Sequence, residues 1–207
     1  MAGPAKATAS WRAQPARQAT VSRRKPPAGA CGPSRARSAA AAGWPVGVWS
    51  IGHRNIQGAA LDLDGRLLTV EHGARGGDEL NRPEAGRNYG WPVITYGVNY
   101  NFRPIGEGHA KPGMEQPLHY WDPSIAPSGL MVYSGALIAD WRGDIFTGSL
   151  NSGFLSRLDP DTQAETGFAE EQIVADQTGR VRDVIEGPDG AIWFLSVDDG
   201  ALYRLAP

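Results

Sequence analysis

The sequence has 207 residues, 20 of them basic and 22 acidic, and one cysteine, Cys31, so an intrachain disulfide is excluded. Residues 1–43 hold eight Lys or Arg and no Asp or Glu, which leaves residues 44–207 with 12 basic and 22 acidic side chains, a formal charge of −10. This acidic body argues against a nucleic-acid partner. The sequence contains no run of about 18 apolar residues of the kind that would span a membrane.

The first 43 residues are a different kind of polypeptide from the rest. They are rich in Ala, Arg and Pro, show no periodic apolar pattern, and contain no apolar core of a secretory signal peptide. Their composition alone is compatible with a transit peptide or a nucleic-acid-binding arm. We favour a tail that does not fold, or foreign sequence joined to a truncated domain, and we place the folded domain at residues 44–207.

From residue 44 onward three segments repeat one pattern: an apolar strand, a turn with Asp and Gly, and a second apolar strand. They are QGAALDLDGRLLTVEHG (57–73), GALIADWRGDIFTGSL (135–150) and RDVIEGPDGAIWFLSVDDGALYRLAP (182–207). Their turn glycines, Gly65, Gly143 and Gly190, are 78 and 47 residues apart. A spacing near 47 is typical of β-propeller blades, and the longer interval accommodates an insertion at about residues 88–120. A β-sandwich is the alternative.

Several longer motifs then carry a resemblance to a known family. They are GHRNIQG (52–58), EHGARGGDELN (71–81), GRNYGWPVITYGVNY (86–100), PIGEG (104–108), PGMEQP (112–117), YWDPSIAPSG (120–129), WRGDIFTGSL (141–150) and GRVRDVIEGPDG (179–190). In this order they resemble the soluble PQQ-dependent aldose sugar dehydrogenases, also called the glucose/sorbosone dehydrogenase family. The resemblance covers about residues 47–205. It implies an all-β, six-bladed propeller of the quinoprotein glucose dehydrogenase type, of which this chain matches only the C-terminal part, about three to four blades.

The resemblance implies a site for pyrroloquinoline quinone (PQQ), a tricarboxylate. Arg180 and Arg182 match the arginine pair that the family places against the cofactor carboxylates. Residues i and i+2 of a strand face the same side, so the two guanidinium groups would bind one anion together. The other implied cofactor contacts are Arg54, Asn55, Tyr100, Ser124 and Asn151. Asn151 departs from the glucose-specific branch, which has a lysine there.

A calcium site is also implied. Gly73 and Ala74 match the Gly-Pro whose carbonyl oxygens bind the cofactor-associated Ca²⁺, and a change from Pro to Ala keeps both oxygens. Glu79 and Tyr89 match positions that bind a second calcium in some members. Carbonyl and carboxylate oxygens are the ligands that Ca²⁺ prefers. For Glu79 the alternative is a loop carboxylate that caps a turn.

The family oxidises the C1 hydroxyl of an aldose to the lactone, with a histidine as general base and an external electron acceptor. This chain has no match for that histidine, so no catalytic residue is assigned. The resemblance implies a periplasmic or secreted protein, although no signal peptide is visible. An incomplete ring exposes sheet faces, which predicts possible self-association. The alternative function is a non-catalytic partial propeller that binds calcium or a partner.

Overall fold

The computed structural model of the protein describes residues 43–45, 47–160 and 168–207. Every described residue lies in one compact unit of the chain, Pro33–Pro207. The described residues form eleven strands and one 3₁₀ turn, with no α-helix, which confirms the all-β prediction. Apart from Gly43, the predicted basic tail lies outside the described residues.

The strands form three antiparallel sheets. The first contains β1 (Ile56–Leu61), β2 (Leu67–Glu71), β3 (Asp78–Asn81) and β4 (His119–Trp121), in that order. The second contains β5 (Pro127–Val132), β6 (Ile145–Ser149), β7 (Leu155–Asp159) and β8 (Ala169–Ile173), in that order. The third contains β9 (Val181–Glu186), β10 (Ile192–Ser196) and β11 (Ala201–Leu205), with β10 in the middle.

The first predicted hairpin is confirmed as β1 and β2. Its turn is closed by Asp62, whose Oδ1 accepts the backbone N–H groups of Asp64 at 3.0 Å and Arg66 at 2.8 Å. Gly65 supplies the left-handed φ of +77° that this turn needs. The predicted insertion lies between β3 and β4, so it leaves from and returns to neighbouring strands of one sheet.

One sequence prediction in the second sheet is wrong. The segment at residues 136–139 was expected to be an apolar strand, but the first strand of this sheet is β5, and Ala139–Trp141 is a 3₁₀ turn. The buried Tyr133 hydroxyl accepts the backbone N–H groups of Leu137 at 3.0 Å and Ile138 at 3.1 Å. Because a side chain satisfies these donors, the segment is a loop and not part of a strand ladder.

The first strands of the three sheets, β1, β5 and β9, lie side by side. Glycine allows this approach: a Cβ on Gly58 would lie 2.6 Å from the carbonyl carbon of Gly129, and one on Gly129 would lie 2.9 Å from Cα of Asp183. Gly129 also has a φ of +61°. No side chain fits between these backbones. The segments that lead into β1, β5 and β9 are therefore held close together.

Two apolar cores fill the spaces between the three sheets. One includes Leu68, Leu80, Leu130 and Leu158, and the other includes Met131, Phe146, Leu155, Val184 and Ile192. The second sheet contributes to both, because successive residues of a strand face opposite sides. The outer faces of the end sheets remain open, and their exposed apolar side chains include Leu61, Ile185, Leu195 and Leu202. Among the described residues no helix is long and apolar enough to cross a membrane.

The first prediction compares two leucines on strands. Leu80 is fully buried in the first core, whereas Leu202 is 55% exposed on the open face of the third sheet. We expect Leu80→Ala to lower the free energy of unfolding by about 2–5 kcal/mol through lost packing and a new cavity. Leu202→Ala should change it by less than about 0.5 kcal/mol. Urea denaturation measures both, and equal losses would contradict this assignment of the core.

Candidate active site

Most of the predicted site residues lie at one end of the sheets. Arg54 and Asn55 precede β1, Ser124 precedes β5 and Arg180 precedes β9. The β2–β3 loop and the β6–β7 loop reach the same end, because alternate connections of an antiparallel sheet share an edge. The close packing of the three first strands therefore brings these segments together.

A cavity of about 630 Å³ opens at this end. A volume of this size is typical of small-molecule and cofactor sites. Five predicted site residues line it: Gly73, Ala74, Tyr100, Ser124 and Asn151. The structure thus brings the predicted carbonyl ligands of one metal and three of the predicted cofactor contacts to one cavity.

The loop from His72 to Gly77 forms one wall of the cavity, and its glycines explain its curvature. Gly76 and Gly77 have φ values of +72° and +68°. A Cβ on Gly73 would lie 2.0 Å from the Gly76 carbonyl oxygen, and one on Gly77 would lie 2.3 Å from the Gly97 nitrogen. The loop therefore folds back on itself, and its backbone packs closely against that of the insertion.

A buried carboxylate that the sequence analysis did not single out ties this loop to the second sheet. Asp78 is fully buried. Its Oδ1 accepts the Gly73 N–H at 2.8 Å, and its Oδ2 accepts the Ser124 hydroxyl at 2.7 Å and the Ala126 N–H at 2.9 Å. Because the Ser124 hydrogen is donated to Asp78, Ser124 faces the cavity as a hydrogen-bond acceptor. In the sequence, only the position of Asp78 within the motif GGDELN pointed to this role.

Arg54 lies behind the loop. Its Nη1 donates to the His72 carbonyl oxygen at 3.0 Å, its backbone N–H donates to Glu71 at 2.8 Å, and its guanidinium lies over the Trp91 ring at 5.1 Å. Its Nε is buried and has no hydrogen-bond partner among the described residues. The exposed Asn55 accepts the His72 N–H through its own carbonyl oxygen at 3.0 Å. Arg54 is therefore a half-buried cation whose Nε has spare donor capacity.

Glu79 and Tyr89 line a second, small cavity together with Arg54. Asn81 Nδ2 donates to Glu79 at 3.0 Å and to Glu71 at 2.9 Å. Burial is the main cause that raises the pKa of Glu79 from 4.5 to about 7; the Asn81 hydrogen bond opposes the shift, and the nearby Glu71 charge adds to it. A cation beside this carboxyl would favour its ionised form.

Tyr89 turns its hydroxyl away from Glu79. The hydroxyl donates to the Arg82 carbonyl oxygen and accepts the Glu84 N–H at 3.0 Å, and the ring stacks on His53 with centroids 4.7 Å apart. Any metal contact by Tyr89 beside Glu79 would therefore use its backbone oxygen.

Arg180 and Arg182 are exposed and do not line the cavity. Arg180 Nε donates to the Leu150 carbonyl oxygen at 3.2 Å, which places Arg180 beside the loop that carries Asn151. Arg180 precedes the first residue of β9, and a register shift between Leu195 and Ser196 lies opposite Arg182. The directions of the two side chains therefore depend on this bulge and not on simple strand alternation.

The insertion supplies an aromatic wall that sequence reasoning named only in part. Tyr96 and Tyr100 line the cavity, and Tyr96 stacks on Tyr120 with centroids 3.9 Å apart. Arg75, also in the lining, places its guanidinium 4.1 Å from the ring centre of Phe102. Of these, only Tyr100 was predicted; the Tyr-rich and Gly-rich composition of the insertion was the available signal for the rest.

No histidine presents a free Nε2 atom to the cavity. His72 lines it, but its Nε2 lies 2.8 Å from the Pro127 carbonyl oxygen, so that nitrogen must carry a hydrogen. His53 Nε2 is hydrogen-bonded to the Ser50 hydroxyl at 2.8 Å. The other two histidines of the chain lie outside the cavity lining.

The donor set of the site suits a hard cation and an anionic ligand. No cluster of three or more His, Cys, Asp or Glu side chains that could hold a metal occurs in the described part of the chain. The curled loop offers backbone oxygens as further ligands, and such oxygens suit Ca²⁺. The half-buried Arg54 behind the loop and the cavity-lining Arg75 provide positive charge for an anion.

Comparisons with known proteins match this sequence and fold. Aldose sugar dehydrogenase YliI from Escherichia coli is 39% identical over 166 residues, which are 77% of this chain and 44% of that protein. A crystal structure described as glucose dehydrogenase superposes with a TM-score of 0.73 at 45% identity, over 80% of this chain and 48% of that one. The PQQ-bound aldose sugar dehydrogenase from Streptomyces coelicolor gives a TM-score of 0.56 at 29% identity, over 76% and 42%.

The chain spans less than half the length of each of these relatives. The sequence profile of the family described as Glucose / Sorbosone dehydrogenase matches residues 32–204. This match covers most of the chain, and it includes every residue of the cavity lining. The chain therefore belongs to the glucose/sorbosone dehydrogenase family.

Proposed function

We propose that this protein binds PQQ with Ca²⁺ and serves the oxidation of the C1 hydroxyl of an aldose to its lactone. The observation that carries the proposal is the convergence of Gly73, Ala74, Tyr100, Ser124 and Asn151 on one cavity of cofactor size. Support comes from a relative with a PQQ-bound structure and from the quinoprotein glucose dehydrogenase B of Acinetobacter calcoaceticus, 25% identical over 203 residues.

The proposed calcium position is at the Gly73 and Ala74 carbonyl oxygens, with a second ion near Glu79 and Tyr89. The β2–β3 loop is glycine-rich and curled, and the described residues hold no side-chain metal cluster. Both observations favour ligation by carbonyl oxygens. Near Glu79 a cation would offset the repulsion between two neighbouring buried carboxyls.

The proposed cofactor contacts are of two kinds, charged and neutral. The exposed Arg180 and Arg182 would bind carboxylates of the cofactor, and Arg54, with its unpaired Nε, would contact its quinone side. Asn55, Tyr100, Ser124 and Asn151 would position it by hydrogen bonds and by ring contact. When bound, PQQ supplies the two-electron acceptor for the sugar hydroxyl, and an external acceptor then reoxidises it.

No histidine of this chain is assigned as the general base, and the Nε2 atoms of His53 and His72 are hydrogen-bonded. This observation favours a second candidate function, a non-catalytic partial propeller that holds cofactor or calcium without turnover. In either case we propose that the three sheets are successive propeller blades of residues 44–207, in a periplasmic or secreted protein. The open faces of the end sheets, with Leu61 and Leu202 exposed, support possible self-association.

The direct test is a titration of the purified chain with PQQ, with and without Ca²⁺, followed by reduction of an artificial dye with aldoses. Calcium-dependent binding with dye reduction supports the dehydrogenase. Binding without turnover supports the non-catalytic candidate. If PQQ does not bind at any Ca²⁺ concentration, the proposal is wrong for this chain.

A second prediction concerns the arginine pair. We expect Arg180→Ala and Arg182→Ala each to weaken PQQ binding about ten-fold or more, since each removes a charge-assisted hydrogen bond to a carboxylate. Arg204→Ala is the matched control, because Arg204 lies on the same sheet but is paired with Asp189 at 2.6 Å. Fluorescence titration at saturating Ca²⁺ measures all three, and equal affinities in the pair variants and the control would contradict the assignment.

A third prediction uses the raised pKa of Glu79, about 7 against its usual 4.5. Between these values the folded protein binds more protons than the unfolded chain, so without metal its stability should fall as pH rises from about 4.5 through about 7. Glu79→Gln should flatten this fall. Urea denaturation in chelator at several pH values measures it, with the exposed Glu107→Gln as the control. A Glu79→Gln profile identical to that of the wild type would contradict the prediction.

A further inference from the structure

We propose that Asp78 is the positioning residue that couples calcium binding at the β2–β3 loop to cofactor binding at the entry to β5. This inference rests on the proposed function and adds to it a residue that neither the cofactor nor the metal touches. Asp78 acts through three neighbours: Gly73 on the metal side, and Ser124 and Ala126 on the cofactor side.

The geometry makes Asp78 a bridge between two sheets. It is the first residue of β3, in the first sheet, and it is fully buried. Ser124 and Ala126 lie 46 and 48 residues further along the chain, immediately before β5 of the second sheet. Both walls of the cavity, the curled loop and the β5 entry, are thus hydrogen-bonded to one carboxylate.

The bridge needs a carboxylate. All three partners are donors, one at Oδ1 and two at Oδ2, and an ionised carboxylate accepts at both oxygens. An amide in the same place accepts at one atom only. Whichever way an asparagine is turned, its NH₂ group meets a backbone N–H, either that of Gly73 or that of Ala126, which would keep only its longer bond to Ser124 Oγ at 3.2 Å.

The backbone at both contacts depends on this bond. Ala126 has a left-handed φ of +51°, which is unusual for a residue with a side chain, and its N–H is fixed by Asp78. At the other end the Gly73 N–H is fixed next to the carbonyl oxygens that we assign to calcium. Loss of the bridge should therefore reduce calcium affinity first, and cofactor affinity as a consequence.

The experiment measures the Ca²⁺ concentration that gives half-maximal PQQ binding, with the full chain and PQQ as the optical probe. We expect Asp78→Asn to raise this midpoint about ten-fold or more, the range seen for residues that support metal ligands. Excess Ca²⁺ should restore PQQ binding, a rescue that general unfolding would not allow. Asp144→Asn is the matched control, another buried aspartate in a hydrogen-bonded pair, here with Arg157 in the second sheet. Its midpoint should stay within about two-fold of wild type.

Each outcome of the midpoint measurement either supports or overturns the role of Asp78. Binding of PQQ by the wild type with an unchanged midpoint in Asp78→Asn overturns the inference and leaves the proposed function intact. Failure of the wild type to bind PQQ overturns both. If circular dichroism shows that Asp78→Asn is not folded, Ser124→Ala replaces it, since that variant removes one of the three bonds. Because Ser124 is itself a proposed cofactor contact, Ca²⁺ binding is then measured by calorimetry without PQQ. Its Ca²⁺ midpoint must then rise, and an unchanged midpoint overturns the inference.

Discussion

The close approach of three strands is the constraint on which the rest of the structure depends. Gly58 and Gly129 leave no room for a Cβ between neighbouring backbones, so β1, β5 and β9 lie in direct contact. Their sheets then diverge, and two apolar cores fill the space between them. Since the residues before each strand must enter at the same end, side chains distant in sequence meet there. The candidate site is thus a consequence of backbone packing.

Within that site the polar interactions form two layers. The outer layer faces the cavity and consists of loop carbonyls, Ser124, Asn151 and the aromatic wall of the insertion. The inner layer is buried and holds the outer one in place, with Asp78 bonded to both walls and Arg54 bonded to the His72 carbonyl oxygen. Buried charged groups of this kind are costly unless they are hydrogen-bonded, so they fix the loops more firmly than exposed contacts could.

Much of this could be predicted from the sequence, and the limits have physical causes. The Asp62 to Gly65 turn and the third hairpin were predictable because turn chemistry is local. The strand expected at residues 136–139 failed because a distant tertiary partner, the Tyr133 hydroxyl, takes its backbone donors. The grouping of Gly73 with Ser124 and Asn151 came from the family resemblance, which preserves long-range contacts that local patterns do not contain. The bridging role of Asp78 needed the coordinates, since its partners lie 5, 46 and 48 residues away.

The central claim is that one end of these sheets forms a joint site for PQQ and Ca²⁺. A crystal structure of the chain grown with both, with calcium located by anomalous scattering, tests it most directly. The account predicts a calcium ion about 2.3–2.6 Å from the Gly73 and Ala74 carbonyl oxygens and the cofactor between that loop and Ser124. An empty cavity with the cofactor bound elsewhere, or calcium bound only away from this loop, would contradict it.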